Sequence, residues 1–149
     1  MPGIIVGVDG SDHSRYALGW AMREAAKHDL PLTVMSIHPV PARPATGIYW
    51  GLRNYPDSGF DPELARREVQ DFVGKVASET HEAPQTTVSV LVGDAAEELV
   101  KASQDADMLV VGSRGTGGFA RLLLGSVSSQ VTHHASCPVV VVPGPGRAS

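Results

Sequence analysis

Five short runs of mostly branched apolar residues constrain this chain more than any other feature. They are Ile4-Ile5-Val6-Gly7-Val8, Leu32 to Ile37, Thr86 to Val92, Met108-Leu109-Val110-Val111 and Val139-Val140-Val141-Val142. Most are nearly continuous in apolar character, the pattern of a parallel strand covered on both faces. Stretches with helical periodicity separate them. The first follows Asp9-Gly10-Ser11 and runs from about Asp12 to His28, with Ala17, Trp20, Ala21 and Ala25 recurring at helical spacing, as do Leu18, Met22 and Ala25. Asp61-Pro62-Glu63 starts the next, with a capping residue, a proline in the first turn and an acid near the positive helix end. Ala65, Val69, Phe72, Val73 and Val76 form its apolar stripe. Asp94-Ala95-Ala96-Glu97 has the form of a capping box and opens a short helix to about Gln104. A last helix is expected from Ser126 to about His134.

The order is therefore βαβαβαβαβ. Right-handed crossovers turn it into an open, five-stranded, parallel, doubly wound sheet of the Rossmann-like α/β class, with helices on both faces. Thr86 to Val92 alternates Val88, Val90 and Val92 with Thr87, Ser89 and Leu91, and is expected to be less buried, at a sheet edge. At 149 residues the chain fits a single domain. Residues 39–61 are read as a variable loop rich in proline, glycine and aromatic residues, among them Tyr49, Trp50, Tyr55 and Phe60. Such a loop is either a lid or a satellite cluster. Residues 143–149 are read as a C-terminal tail.

Such sheets bind ligands outside the carboxyl ends of the strands, where the strand order reverses. If the chain winds outward from its first strand and resumes on the other side with its fourth, Asp9 and Gly112 face each other across that point. After Gly112 comes Ser113-Arg114-Gly115-Thr116, and Gly125-Ser126, separated from Gly115 by nine residues, stand at a helix start. Glycine lets backbone N–H groups approach phosphate oxygens. A helix start adds free N–H groups and the positive end of the dipole. The spacing is neither that of a lysine-containing P-loop nor that of the dinucleotide fingerprint.

Other classes are excluded or demoted. The net charge of −4, with no long basic run, argues against a dedicated nucleic-acid binder. No apolar stretch approaches the ~20 residues of a membrane span. Met1-Pro2-Gly3 lacks the basic start and long apolar run of a secretory signal, and the single cysteine, Cys137, suits a reducing cytosol. A cytoplasmic location is the expectation. Cys137 is expected to be buried. His13, His28, His38 and His81 lack metal-ligand spacing, and His133 and His134 fit a helix C-terminus better than a metal site. No catalytic constellation emerges, so no enzyme is expected. Asp9 has two readings, as the cap of the first helix or as a ligand-facing carboxylate.

GSRG, nine residues, then GS resembles the ATP-binding signature of the universal stress protein family, in its nucleotide-binding branch. The opening IIVGVDGS, the DMLVVG before the glycine segment and the closing CPVVVV also resemble that family's first, fourth and last strands. The resemblance spans nearly the whole chain and is weakest in residues 40–60. It implies an adenine nucleotide alpha hydrolase-like fold that binds ATP, with Mg²⁺ or Mn²⁺, and hydrolyses it little or not at all. Gly7, Val8 and Asp9 would line the adenine and ribose end, with the Ile37 main chain and Val111 at the base. Gly112, Ser113, Arg114, Gly115 and Thr116 would hold the phosphates with Gly125, Ser126, Val127 and Ser128. Asp9 would bond the nucleoside or face the metal. The family often has a histidine at the position of Ser36. It also implies a homodimer paired through Val139 to Val142, covering an apolar edge. Alternatives are a non-ATP or cyclic-AMP-binding interaction module or, on a related fold, a nucleotide-dependent enzyme.

Overall fold

The computed structural model describes residues 3–39, 60–114 and 125–144. Within them β1 (Ile4–Val8), α1 (Asp12–His28), β2 (Leu32–His38), α2 (Pro62–Thr80), β3 (Thr86–Val92), α3 (Ala95–Ser103), β4 (Met108–Gly112), α4 (Ser126–His134) and β5 (Val139–Val142) follow in order. All strand pairs are parallel and the strand order is β3-β2-β1-β4-β5. The order reverses between β1 and β4, so the topology has the expected switch point. The loop expected over 39–61 lies outside the described residues from 40 to 59, with Tyr49, Trp50 and Tyr55. Gly115 to Leu124 and 145–149 also lie outside.

The sheet is covered on both faces. Ala17, Leu18, Ala21, Met22 and Ala25 of α1 and Ala65, Val69 and Val76 of α2 are buried. Leu18, Met22, Val69 and Val76 pack with Ile4, Val6, Val8, Leu32, Val34 and Val110. On the opposite face Leu99 of α3 and Val131 of α4 pack with Met35, Ile37, Leu109 and Val111. Alternate residues of each strand feed the two cores, which explains the continuous apolar runs. Burying a Leu or Val side chain contributes roughly 1.5–3 kcal/mol, so these two layers dominate the stability.

Helix ends are set by short polar contacts. Ser11 caps α1 and accepts from Ser14 N; Asp61 caps α2 and accepts from Glu63 N and Leu64 N; Asp94 caps α3 and accepts from Glu97 N. The N-cap of α4 is Gly125, which has no side chain to offer. β3 is an edge strand as expected, and Val92 at its end is 42% exposed. Arg66 of α2 donates to Val88 O at 2.9 Å and so covers part of that edge. Cys137 is half-buried rather than buried, because it sits in the open turn between α4 and β5. Burial and the nearby Asp107 carboxylate push its thiol pKa up, which works against thiolate chemistry.

Candidate functional site

The carboxyl ends of β1 and β4 lie side by side, each followed by a turn and a helix. After β1, Gly10 adopts φ 85°, a left-handed conformation that glycine accepts without strain. The turn closes on itself. Asp9 Oδ1 accepts from Ser11 N at 3.0 Å, Asp9 N donates to Ser14 Oγ, and Ser14 Oγ donates to Ser11 O. Ser11, not Asp9, is therefore the cap of α1, and Asp9 shapes the turn ahead of it.

After β4 the arrangement differs. Ser113 N donates to Val142 O at 2.9 Å, which anchors the segment to the end of β5. Ser113 O accepts from Gly125 N at 2.7 Å and from Ser128 Oγ at 3.0 Å. Ser128 is buried and its hydroxyl also lies 3.1 Å from Gly125 O. These contacts fasten Gly112-Ser113-Arg114 to Gly125-Ser126-Val127-Ser128, across ten residues that lie outside the described part. The first intrahelical amide of α4 is Ser129 N, bonded to Gly125 O. The amides of Ser126, Val127 and Ser128 precede it and have no intrahelical acceptor. Ser126 is exposed. Arg114 Nε is buried and makes no hydrogen bond. A helix end and three amides thus converge where an anion would be stabilised, with Arg114 next in the chain to the Ser113 that holds them.

The structure places the sequence-predicted residues as follows. Gly112, Ser113, Arg114, Gly125, Ser126, Val127 and Ser128 come together at the β4–α4 junction. Gly115 and Thr116 lie outside the described residues. Val8 is buried in the α1–α2 core, and Ile37 and Val111 in the α3–α4 core. These three side chains are packing elements, so contact with a ligand would fall to their main chain. A Cβ on Gly7 would come within 3.0 Å of Leu99 Cδ1, so its lack of a side chain serves the packing of α3. A Cβ on Gly112 would come within 2.9 Å of the His13 main chain, so this glycine lets the first turn of α1 sit on the end of β4. Both glycines read as ligand-facing also have packing reasons.

Two histidines near the site carry no signal in their sequence spacing. His13, in the first turn of α1, brings Nδ1 to 3.4 Å from Ser113 Oγ. His38 ends β2 and is buried; its Nε2 lies 3.0 Å from Ser36 Oγ, and its ring lies 5.0 Å from that of Phe60. Burial lowers the His38 pKa from 6.5 to about 4, so it is neutral at pH 7. Strand alternation places Ser36 and His38 on one face, a sign available in the sequence once β2 is extended to His38.

The universal stress protein family model matches residues 2–143. A universal stress protein of Mycolicibacterium smegmatis is 40% identical over 151 residues, covering 99% of this chain and 50% of that protein. The chain spans about half the length of the curated relatives it matches. Among solved structures, UspA from Lactobacillus plantarum is 25% identical with a TM-score of 0.74, covering 95% of this chain and 97% of the other. A universal stress protein in complex with cAMP is 27% identical with a TM-score of 0.65, covering 95% and 96%. With the sheet order, the glycine spacing and these likenesses together, the chain belongs to the universal stress protein family.

Proposed function

We propose that this protein binds an adenine nucleotide, ATP with Mg²⁺ or Mn²⁺, at the carboxyl ends of β1 and β4, and acts as a cytoplasmic nucleotide-dependent stress-response protein. The observation that carries this reading is the open N-terminus of α4, tied to the end of β4 through Ser113 O. Its amides suit a phosphate, and Arg114, adjacent in the chain to Ser113, would add a guanidinium to the cradle. Gly115 and Thr116 would extend the same cradle. The groups that converge there are mostly amides and hydroxyls, which hold phosphate without activating water, so the activity proposed is binding with little or no hydrolysis. Among the described residues no group of three His, Cys, Asp or Glu side chains is placed to hold a metal. A divalent ion therefore belongs to the reading as part of the metal–nucleotide complex, with Asp9 the carboxylate nearest the strand ends.

Cyclic AMP is the second ligand reading, favoured by the solved relative in complex with it. The partner reading is a homodimer through the outer edge of β5, a run of four valines. The contrast with β3 supports it, since Arg66 covers part of that other edge. Mass spectrometry of what a denatured, purified sample releases tests the ligand. ATP or ADP at near-stoichiometric yield is expected. Release of cyclic AMP would move the assignment to the second reading, and multiple turnover of labelled ATP would make the protein an enzyme.

A further inference from the structure

Ser113 sits where three parts of the chain meet. Its amide is committed to Val142 O and its carbonyl to Gly125 N and Ser128 Oγ. The direction of its hydroxyl is then the one freedom left, and that hydroxyl lies 3.4 Å from His13 Nδ1, at the long end of hydrogen-bond range. His13 is held in turn from two sides. Its main chain rests against Gly112, and its ring fills the space a side chain at Gly144 would need. A Cβ at Gly144 would collide with His13 Nδ1, Cε1 and Cγ.

We propose that His13 is a positioning residue for the phosphate end of the site. Its ring, seated on Gly144, aims the Ser113 hydroxyl, so a main-chain position two residues beyond β5 reaches the cradle through one imidazole. This rests on the nucleotide reading above, and it adds two residues that the glycine spacing does not contain. His13 acts through Ser113 rather than on the ligand. The contact geometry also gives Gly144 a role separate from folding: a methyl group there meets the His13 ring and no backbone, so the ring must rotate away from it.

The test is nucleotide affinity, measured by calorimetry with Mg²⁺-ATP, in Gly144→Ala, His13→Leu, His13→Asn and the double variant Gly144→Ala/His13→Leu. Loss of one neutral hydrogen bond should weaken binding by about fivefold to tenfold in Gly144→Ala and in His13→Leu, with melting temperatures close to wild type. His13→Asn, whose amide can take the place of Nδ1, should stay within about twofold of wild type. The double variant should be no worse than His13→Leu alone, because both remove the same contact. Wild-type affinity in the two single variants, or additive losses in the double, would overturn the proposal. A ligand-free measurement separates it from the nucleotide reading. The His13 Nδ1 resonance in ¹⁵N NMR should shift in both Ser113→Ala and Gly144→Ala. Unchanged resonances in both would overturn the placement of His13 whether or not nucleotide binds, whereas failure of the wild type to bind any nucleotide would sink the nucleotide reading and leave the resonances to decide.

Discussion

The β1–α1 and β4–α4 junctions are the same piece of architecture used twice, on neighbouring strands at the switch point. They end differently. At α1 the Asp9-Gly10-Ser11 turn occupies its own polar groups, and Ser11 Oγ takes an amide of the first helical turn. At α4 a glycine stands at the cap, the turn is pinned through Ser113 O, and the first amides have no acceptor among the described residues. A side-chain cap occupies one of the free amides at a helix N-terminus, so an uncapped end offers an anion more donors. The first junction is therefore capped by its own residues, and the second is the one we propose as the seat for phosphate.

The largest expected effect lies beside both junctions, at the end of β2. Burial holds His38 neutral with its pKa near 4, while an unfolded histidine titrates near 6.5. Stability should be whole above about pH 6.5 and fall as the pH drops toward 4, because the unfolded chain takes up the proton first. The loss should be roughly 3 kcal/mol over that window, read by urea denaturation, and His38→Gln should flatten the profile between those pH values. An identical slope in wild type and variant would place the buried charge cost elsewhere.

On the open side, Ser126→Glu puts a fixed negative charge on an exposed first-turn position. Mg²⁺-ATP affinity should fall about a hundredfold, equivalent to about 2.7 kcal/mol. Thermal stability should hold or rise, since an acid there complements the helix dipole by about 0.3–1 kcal/mol. The mirror experiment is Ser11→Ala, which removes the cap of α1. It should cost about 1 kcal/mol of stability in chemical denaturation and leave nucleotide affinity within about twofold. If instead affinity collapsed and stability did not move, the two junctions would have exchanged roles.

The smallest effect concerns the far ends of the same two helices. α1 stops on Asp29 at φ 54°, whereas α4 stops on Ala135 at φ −65°. Asp29→Gly should stabilise the protein by about 0.5–1 kcal/mol, because the left-handed cap favours glycine. Ala135→Gly, with no such strain to relieve, should not. A rise in melting temperature for the first and not the second is the expected pattern.

The strands and helices were legible in the sequence because burial on both faces, or on one stripe, writes a period into the residues. Val139 to Val142 were found from that period, as were Ala17, Leu18, Ala21, Met22 and Ala25, which are buried, and Trp20, which packs half-buried against the same core. The pinned β4–α4 turn was foreshadowed by glycine spacing, since close approach needs missing side chains. What the sequence hid were reasons that depend on a third element. Gly112 reads as a phosphate glycine, but the His13 main chain fills its Cβ space. Gly7 reads as a base-side glycine, but Leu99 packs there. Asp9 and Ser11 are equally good caps by composition, and only the turn geometry gives the cap to Ser11. Cys137, between a helix and a strand, is expected to be buried, yet the turn that carries it leaves it partly open. His13 and His38 are unremarkable as spacings. Their roles come from Ser113 a hundred residues away, and from Phe60 across residues 40–59.

The difference between the two junctions can be read directly from backbone amide shifts in a ¹⁵N–¹H NMR titration with Mg²⁺-ATP. The expected result is a large, saturable shift of the Ser126, Val127 and Ser128 amides, with Ser14 and Arg15, already bonded to Ser11, nearly still. Binding that leaves the α4 amides unmoved, shifts centred on Ser14 and Arg15, or no saturation at all would contradict the open N-terminus of α4 as the phosphate seat.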